Sequence, residues 1–160
     1  MAEQSAAPPP APRLLCDEML RAIGRWLRIA GYDTAIAESG SADAELLAMA
    51  AAEARLLLTC DRALGARAAG ALVLDSERPD QAARALRRQL GIDWLRAPFS
   101  RCVLDNASLR PAGERELAGV PKSALRPGAA VTACPACARV YWPDSHVRRM
   151  QARLERWQAL

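Results

Sequence analysis

The chain has 160 residues, with 22 Lys or Arg, 18 Asp or Glu, one His and a formal charge of +4. Half of it is apolar (51%) and a quarter is charged (25%), which suits a folded chain with a core and excludes a disordered one. The longest uncharged run, the twelve residues Pro127 to Ala138 with two Pro and a Gly, excludes a membrane helix, which needs about 20 apolar residues.

The start, MAEQSAAPPPAPR, lacks the basic end and apolar block of a signal peptide. A cytoplasmic protein with no membrane partner is therefore expected. The charge is uneven. Residues 1–96 hold 12 Arg and 13 acids, whereas residues 97–160 hold 10 Arg or Lys and 5 acids. A basic back third fits an anionic partner, nucleic acid first, or a solvated face of an Arg-rich chain.

Residues 1–12 are Ala- and Pro-rich and read as a disordered leader. Leu14 to Cys16 is a short apolar run. Glu18 opens a helical stretch that stops at Gly31, with Met19, Leu20, Ile23, Leu27 and Ala30 on one face and Arg21, Arg25 and Arg28 on the other. Asp33 to Ala37 is a strand candidate. Ser41 can cap a helix from Ala42 to Ala54. Arg55 to Thr59 (RLLLT) is a buried-strand signal, and a short helix follows Asp61. Ala71 to Leu74 is a further strand, and Pro79 starts a helix that stops at Gly91. This alternation predicts a parallel sheet covered by helices, an α/β domain over residues 13–96. Residues 97–160 read differently, with Pro and Gly loops, three of the five Cys and a final helix. Val147, Met150, Leu154 and Trp157 form the apolar stripe of that helix, with Arg149, Arg153 and Arg156 opposite.

Ligands of open parallel sheets bind at the carboxyl ends of the strands. Asp17, Asp61 and Asp75 each follow an apolar run, and Asp43 and Glu45 sit in a first helical turn at the same edge. Such carboxylates repel one another unless divalent cations such as Mg²⁺ or Mn²⁺ join them, and two such ions can activate water against a phosphodiester. The alternative is structural: Asp17 and Asp61 also stand where helix caps stand. Arg21, Arg25, Arg28 and Arg62 could hold phosphates near these acids, and the same residues, Arg21 above all, also fit a solvated face.

Cys134 and Cys137 have the spacing of one side of a tetrahedral zinc site. Cys102 and Asp105 repeat the spacing with an Asp in the fourth place. His146, the lone His, could replace Asp105, bind nucleic acid or sit at a helix cap. Cys16 and Cys60 read as small buried apolar residues.

Several stretches together resemble one family. They are Asp17-x-Met-Leu with Gly24-Arg-Trp-Leu-Arg-x-x-Gly-Tyr-Asp33, Asp43-x-Glu-Leu-Leu with Ala50, and Leu57-Leu-Thr-Cys-Asp61-Arg62. They continue with Arg101-Cys102, Asn106, Cys134-x-x-Cys137 and Val140-Tyr-Trp-x-x-Ser-His146. The chain, over roughly residues 13 to 157, resembles the Mut-seven C-terminal RNase domain family, a PIN-like ribonuclease fold carrying a zinc ribbon. The resemblance implies a metal-dependent, endoribonuclease-like domain with Asp17, Asp43 and Asp61 at the acidic positions. It also implies a zinc-ribbon-like basic segment over residues 97–160, whose last helix, with His146 and Arg149, grips the RNA backbone. Two positions depart from the family pattern: Cys60 stands where Arg is usual, and Asp105 where Cys is usual. Asp75 has no family counterpart. Toxin-type members of the wider fold are restrained by a protein partner, so an inhibitory partner belongs to the expectation. A non-catalytic RNA-binding module with the same fold is the alternative. A small-molecule phosphatase is disfavoured because Asp-x-Asp is missing after the first strand, and a nucleotide-binding module because neither GxGxxG nor a P-loop appears.

Overall fold

A computed structural model describes residues 10–160. Residues 1–9 of the expected leader lie outside the described residues, and Ala11 packs on the first core. The first half alternates as read: β1 (Leu14–Cys16), a 3-10 turn (Glu18–Leu20), α1 (Arg21–Ile29), β2 (Thr34–Ile36) and α2 (Asp43–Ala52). It continues with β3 (Leu56–Thr59), α3 (Arg62–Arg67), β4 (Leu72–Val73) and α4 (Pro79–Leu90). The four strands form one parallel sheet in the order β2-β1-β3-β4.

The central strands β1 and β3 are buried on both faces, which is why they read as runs rather than alternations. Leu14, Cys16 and Leu58 face one core with α1 and α4. Their neighbours Leu15 and Leu57 face the other, with Leu46 of α2 and Leu64 of α3. Gly24 lies within α1, where glycine costs about 1 kcal/mol relative to alanine. A Cβ there would fall 2.9 Å from Ile36 Cγ1 and 3.2 Å from Cys16 Sγ, so its absence lets α1 lie close on the sheet. Gly91 ends α4 in the left-handed conformation, at φ +63°.

Two local expectations are corrected. Met19 is 51% exposed rather than part of the buried stripe. The first turn is 3-10, whose tighter winding rotates Met19 off the face that Leu20, Ile23 and Leu27 bury. Ser41 does not cap α2; Ala42 holds that place, and Glu45 accepts from its amide at 3.2 Å.

The second half contains β5 (Arg110–Pro111), α5 (Glu114–Leu117), β6 (Thr132–Ala133), β7 (Val140–Tyr141) and α6 (Ser145–Gln158). The three short strands make an antiparallel sheet in the order β5-β6-β7. Helix α6 returns to the first half and puts Leu154 and Trp157 into the first core. Trp157 meets Trp26 and Trp94 edge-on, with centroids 5.1 and 5.0 Å away. Residues on both sides of position 96 thus share one core. Arg153, expected on the solvated side, lies over Trp26 and Trp157 and pairs with Asp80 at 3.0 Å. Among the described residues no helix is long and apolar enough to cross a membrane.

Candidate functional site

Parallel pairing brings the ends of β1, β2 and β3 to one rim of the sheet, and a cavity of about 130 Å³ opens there. Asp17, Asp43 and Asp61 all line it, joined by Glu18 and Glu38. No Lys or Arg belongs to its lining.

Each acid is held differently. Asp17 is 6% exposed. Its Oδ1 accepts from the Leu20 amide at 3.0 Å, and its Oδ2 accepts from the Thr59 hydroxyl. The same hydroxyl accepts from the Asp61 amide at 2.9 Å, so one buried side chain ties two of the acids together. Asp61 caps α3, accepting from Ala63 N at 2.8 Å and Leu64 N at 3.1 Å. Asp43 pairs with Arg67 at 2.8 Å. Glu18 accepts from Ser39 Oγ and Gly40 N, which fastens the loop after β2 to the rim; the Ser39 hydroxyl, then the Gly40 amide, hold its carboxyl below the usual range.

Asp75 is not brought to this cavity. It lines a separate cleft against α4, is highly exposed and lies 3.7 Å from Arg62. Strand β4 is only two residues long, and Asp75 lies two residues past its end, so the chain has already turned away. Arg25 and Arg62 are exposed. Arg28 is placed in the interior. Its Nε donates to Thr34 O at 2.8 Å, and its Nη1 donates to Val103 O at 3.0 Å and Leu104 O at 2.7 Å. The polar side of α1 is covered there by residues 103 and 104, so this guanidinium is committed to backbone carbonyls rather than free for phosphate.

The second centre is built from two matching turns. In the first, Cys102 N donates to Ala107 O at 2.8 Å and Asn106 N donates to Cys102 O at 3.0 Å. In the second, Cys134 N donates to Arg139 O at 2.9 Å and Ala138 N donates to Cys134 O at 3.0 Å. Asn106 and Ala138 close the two turns at φ +69° and +57°. Asp105 and Cys137 therefore occupy equivalent places. The donor atoms of Cys102, Asp105, Cys134 and Cys137 all lie within 4.8 Å of one another. Cys102 Sγ is 3.7 Å from Cys137 Sγ, and Cys134 Sγ donates to Asp105 Oδ2 at 3.2 Å. Burial opposes the Cys102 thiolate, yet the Tyr141 hydroxyl at 3.0 Å and nearby amides outweigh it and lower its pKa. Burial likewise works against the Asp105 charge, and the Ala107 amide and the surrounding thiols overcome it, leaving its carboxyl at about 2. Three thiols and a carboxylate at this spacing can hold a metal such as zinc. Among the described residues this is the one set of three or more such donors gathered so closely; the acids of the rim are spread more widely.

His146 is not in that set. It is exposed on α6, and Arg149 Nη2 donates to its Nδ1 at 3.0 Å. Cys16 is fully buried, and burial pushes its thiol far up, as expected of a core residue. Cys60 is half-buried beside the rim, and burial raises its thiol too.

Sequence reasoning missed Thr59, Glu18, Glu38 and Arg67 as parts of the acidic rim, and it gave Asn106 as a motif residue with no role. Asn106 also fixes the first turn to the sheet, accepting from Thr34 N at 3.0 Å and donating to Asp33 at 2.7 Å. The signal for Thr59 was present, as the one polar residue ending the apolar run Leu56–Thr59.

A family model described as the Mut7-C RNAse domain matches residues 12–154. No curated protein matches the chain, and no solved structure does.

Proposed function

The chain belongs to the Mut7-C RNAse domain family, and from that premise we propose that it is a metal-dependent ribonuclease hydrolysing RNA phosphodiester bonds at the rim of the parallel sheet. The observation that carries this reading is the cavity shared by Asp17, Asp43 and Asp61, with two further carboxylates and no basic residue in its lining. Five carboxylates against the single ion pair that Arg67 makes with Asp43 leave hard oxygen donors that suit Mg²⁺ or Mn²⁺. Asp17, Asp43 and Asp61 would hold the ion. When bound, such an ion supplies a nucleophilic water at neutral pH and stabilises the leaving oxygen.

The protein's own part is positioning. The Thr59 hydroxyl and the Leu20 amide orient Asp17. The first turn of α3 orients Asp61, and Arg67 holds Asp43 at the lip. The exposed Arg25 and Arg62 would meet RNA phosphates, with His146 and Arg149 of α6 as further contacts. Cys102, Asp105, Cys134 and Cys137 would hold a structural Zn²⁺ that ties the two turns together. This reading takes the sheet as PIN-like and residues 97–160 as a zinc-ribbon-like basic segment. It places the protein in the cytoplasm, with an inhibitory protein as a candidate partner.

The test is Mn²⁺-dependent cleavage of single-stranded RNA by purified protein. Asp17→Asn and Asp61→Asn should lose at least about 100-fold in rate, in line with removing a metal that generates the nucleophile. Asn still caps a helix, so Asp61→Asn should keep its fold. Cleavage by either variant at the parent rate would contradict the assignment. Salt-sensitive RNA binding with no metal-dependent product from the parent would favour the non-catalytic binding module.

A further inference from the structure

Three of the chain's seven aromatic residues wall one cavity far from the acids. Phe99, Tyr141 and Trp142 enclose about 320 Å³ between β7 and α6, with Val147 and Met150 behind them. That volume is at the small end of the ~300–1,000 Å³ typical of ligand sites. Phe99 has φ +59°, a conformation that a bulky side chain rarely adopts. Its amide donates to Ile29 O at 2.7 Å, which holds the ring at the cavity wall despite that strain.

Trp142 and Pro143 also line a second cleft, again of about 320 Å³. This one is about half polar and contains Arg126 and Arg148. Neither guanidinium is ion-paired among the described residues. Arg126 uses its Nε on Ser123 O at 3.1 Å and keeps its outer nitrogens for other partners. The one acid in the lining, Asp144, spends its Oδ1 on the Val147 amide as the cap of α6.

Trp142 therefore borders both an apolar slot lined by aromatic rings and a cleft with two guanidinium groups free of ion pairs. An unpaired nucleotide has the matching halves: a flat base that stacks and a phosphate that seeks guanidinium groups. We propose that the two cavities that share Trp142 seat one unpaired nucleotide of single-stranded RNA, its base on Trp142, Tyr141 and Phe99 and its phosphate on Arg126 and Arg148. The proposal deepens the ribonuclease reading and rests on it for the choice of RNA. Ile29, at the far end of α1, lines the base slot, whereas the residues before α1 line the acidic rim. The two sites are thus separated by about the 14 Å length of that helix, at 1.5 Å per residue. A strand seated at Trp142 would be anchored at a distance from the cleavage point, as a subsite that selects unpaired RNA.

The test is binding of a fluorescent single-stranded RNA by full-length protein in the Asp17→Asn background, where cleavage is removed. Trp142→Ala should weaken binding on the order of 10- to 100-fold, the effect of losing one stacked base. Trp142→Phe keeps a ring and should restore most of the affinity, which separates stacking from misfolding. Arg126→Ala and Arg148→Ala should each lower the salt slope of binding by about 1. Duplex RNA of the same sequence should bind without sensitivity to Trp142→Ala. Unchanged affinity in Trp142→Ala, or tight binding of a free mononucleotide with no gain from a longer strand, would overturn the proposal. If Trp142 controls binding but the parent never cleaves RNA, the ribonuclease reading fails and the subsite stands.

Discussion

Replacing Thr59 by Val tests how the rim is organised. Thr59 is fully buried, and its hydroxyl serves Asp17 Oδ2 and the Asp61 amide at once. Valine has nearly the same shape but puts a methyl group where both partners need a polar atom. The hydrogen bond to the buried Asp17 carboxylate is charge-assisted, and losing it costs about 1.5–3 kcal/mol; the Asp61 amide adds about 1 kcal/mol. A total of roughly 2–4 kcal/mol is expected. In a chain of this size each kcal/mol moves the midpoint by about 2–4 °C, so thermal unfolding followed by circular dichroism should fall by roughly 5–15 °C. Thr59→Ser keeps the hydroxyl and loses one buried methyl, worth about 1 kcal/mol. The serine variant should therefore melt well above the valine variant and retain more RNA cleavage. A valine variant that melts with or above the serine variant would refute the claim that this hydroxyl organises the two acids.

Three further outcomes are expected. Burial works against the Asp33 charge, but Arg55, Asn106 and Arg13 outweigh it and hold the carboxyl at about 2. A lowered folded pKa stabilises above the unfolded value, near 3.9, and that contribution fades as pH falls toward 2. Urea unfolding should show about 2 kcal/mol lost between pH 4 and pH 2, and Asp33→Asn should start lower and lack that part of the acid limb. Arg28→Lys removes the fork that reaches three carbonyls and should cost about 2–4 kcal/mol by the same unfolding assay, while leaving the salt slope of RNA binding unchanged. Asp105→Cys completes a set of four thiolates at an equivalent turn position, so the variant should retain zinc against a competing chelator longer than the parent.

The order of strands and helices was legible because it depends on local pattern. LLC, RLLLT and ALVL are short apolar runs between helical periods, and Pro79 and Gly91 mark where α4 starts and stops. The gathering of Asp17, Asp43 and Asp61 followed from that pattern, since parallel strands align their ends. Asp75 resembled them in sequence, but what separates it is how early β4 ends, and that depends on pairing with Thr59. Arg28 looked solvent-facing because nothing in its own helix shows that residues 103 and 104 will cover it. The strands β5, β6 and β7 have two residues each, too few for any alternation to register. The spacing of the Cys102 and Cys134 pairs was visible, whereas the matching backbone turns that make Asp105 and Cys137 equivalent belong to three-dimensional geometry.

The proposed chemistry requires a divalent cation held by the acids of the rim. Calorimetric titration of zinc-loaded protein with Mn²⁺ measures this directly, with Asp17→Asn as the comparison. Saturable Mn²⁺ binding is expected of the parent and its loss in Asp17→Asn, with Cys102, Asp105, Cys134 and Cys137 unchanged in both proteins. Equal Mn²⁺ binding by the two proteins, or none by the parent, would contradict it.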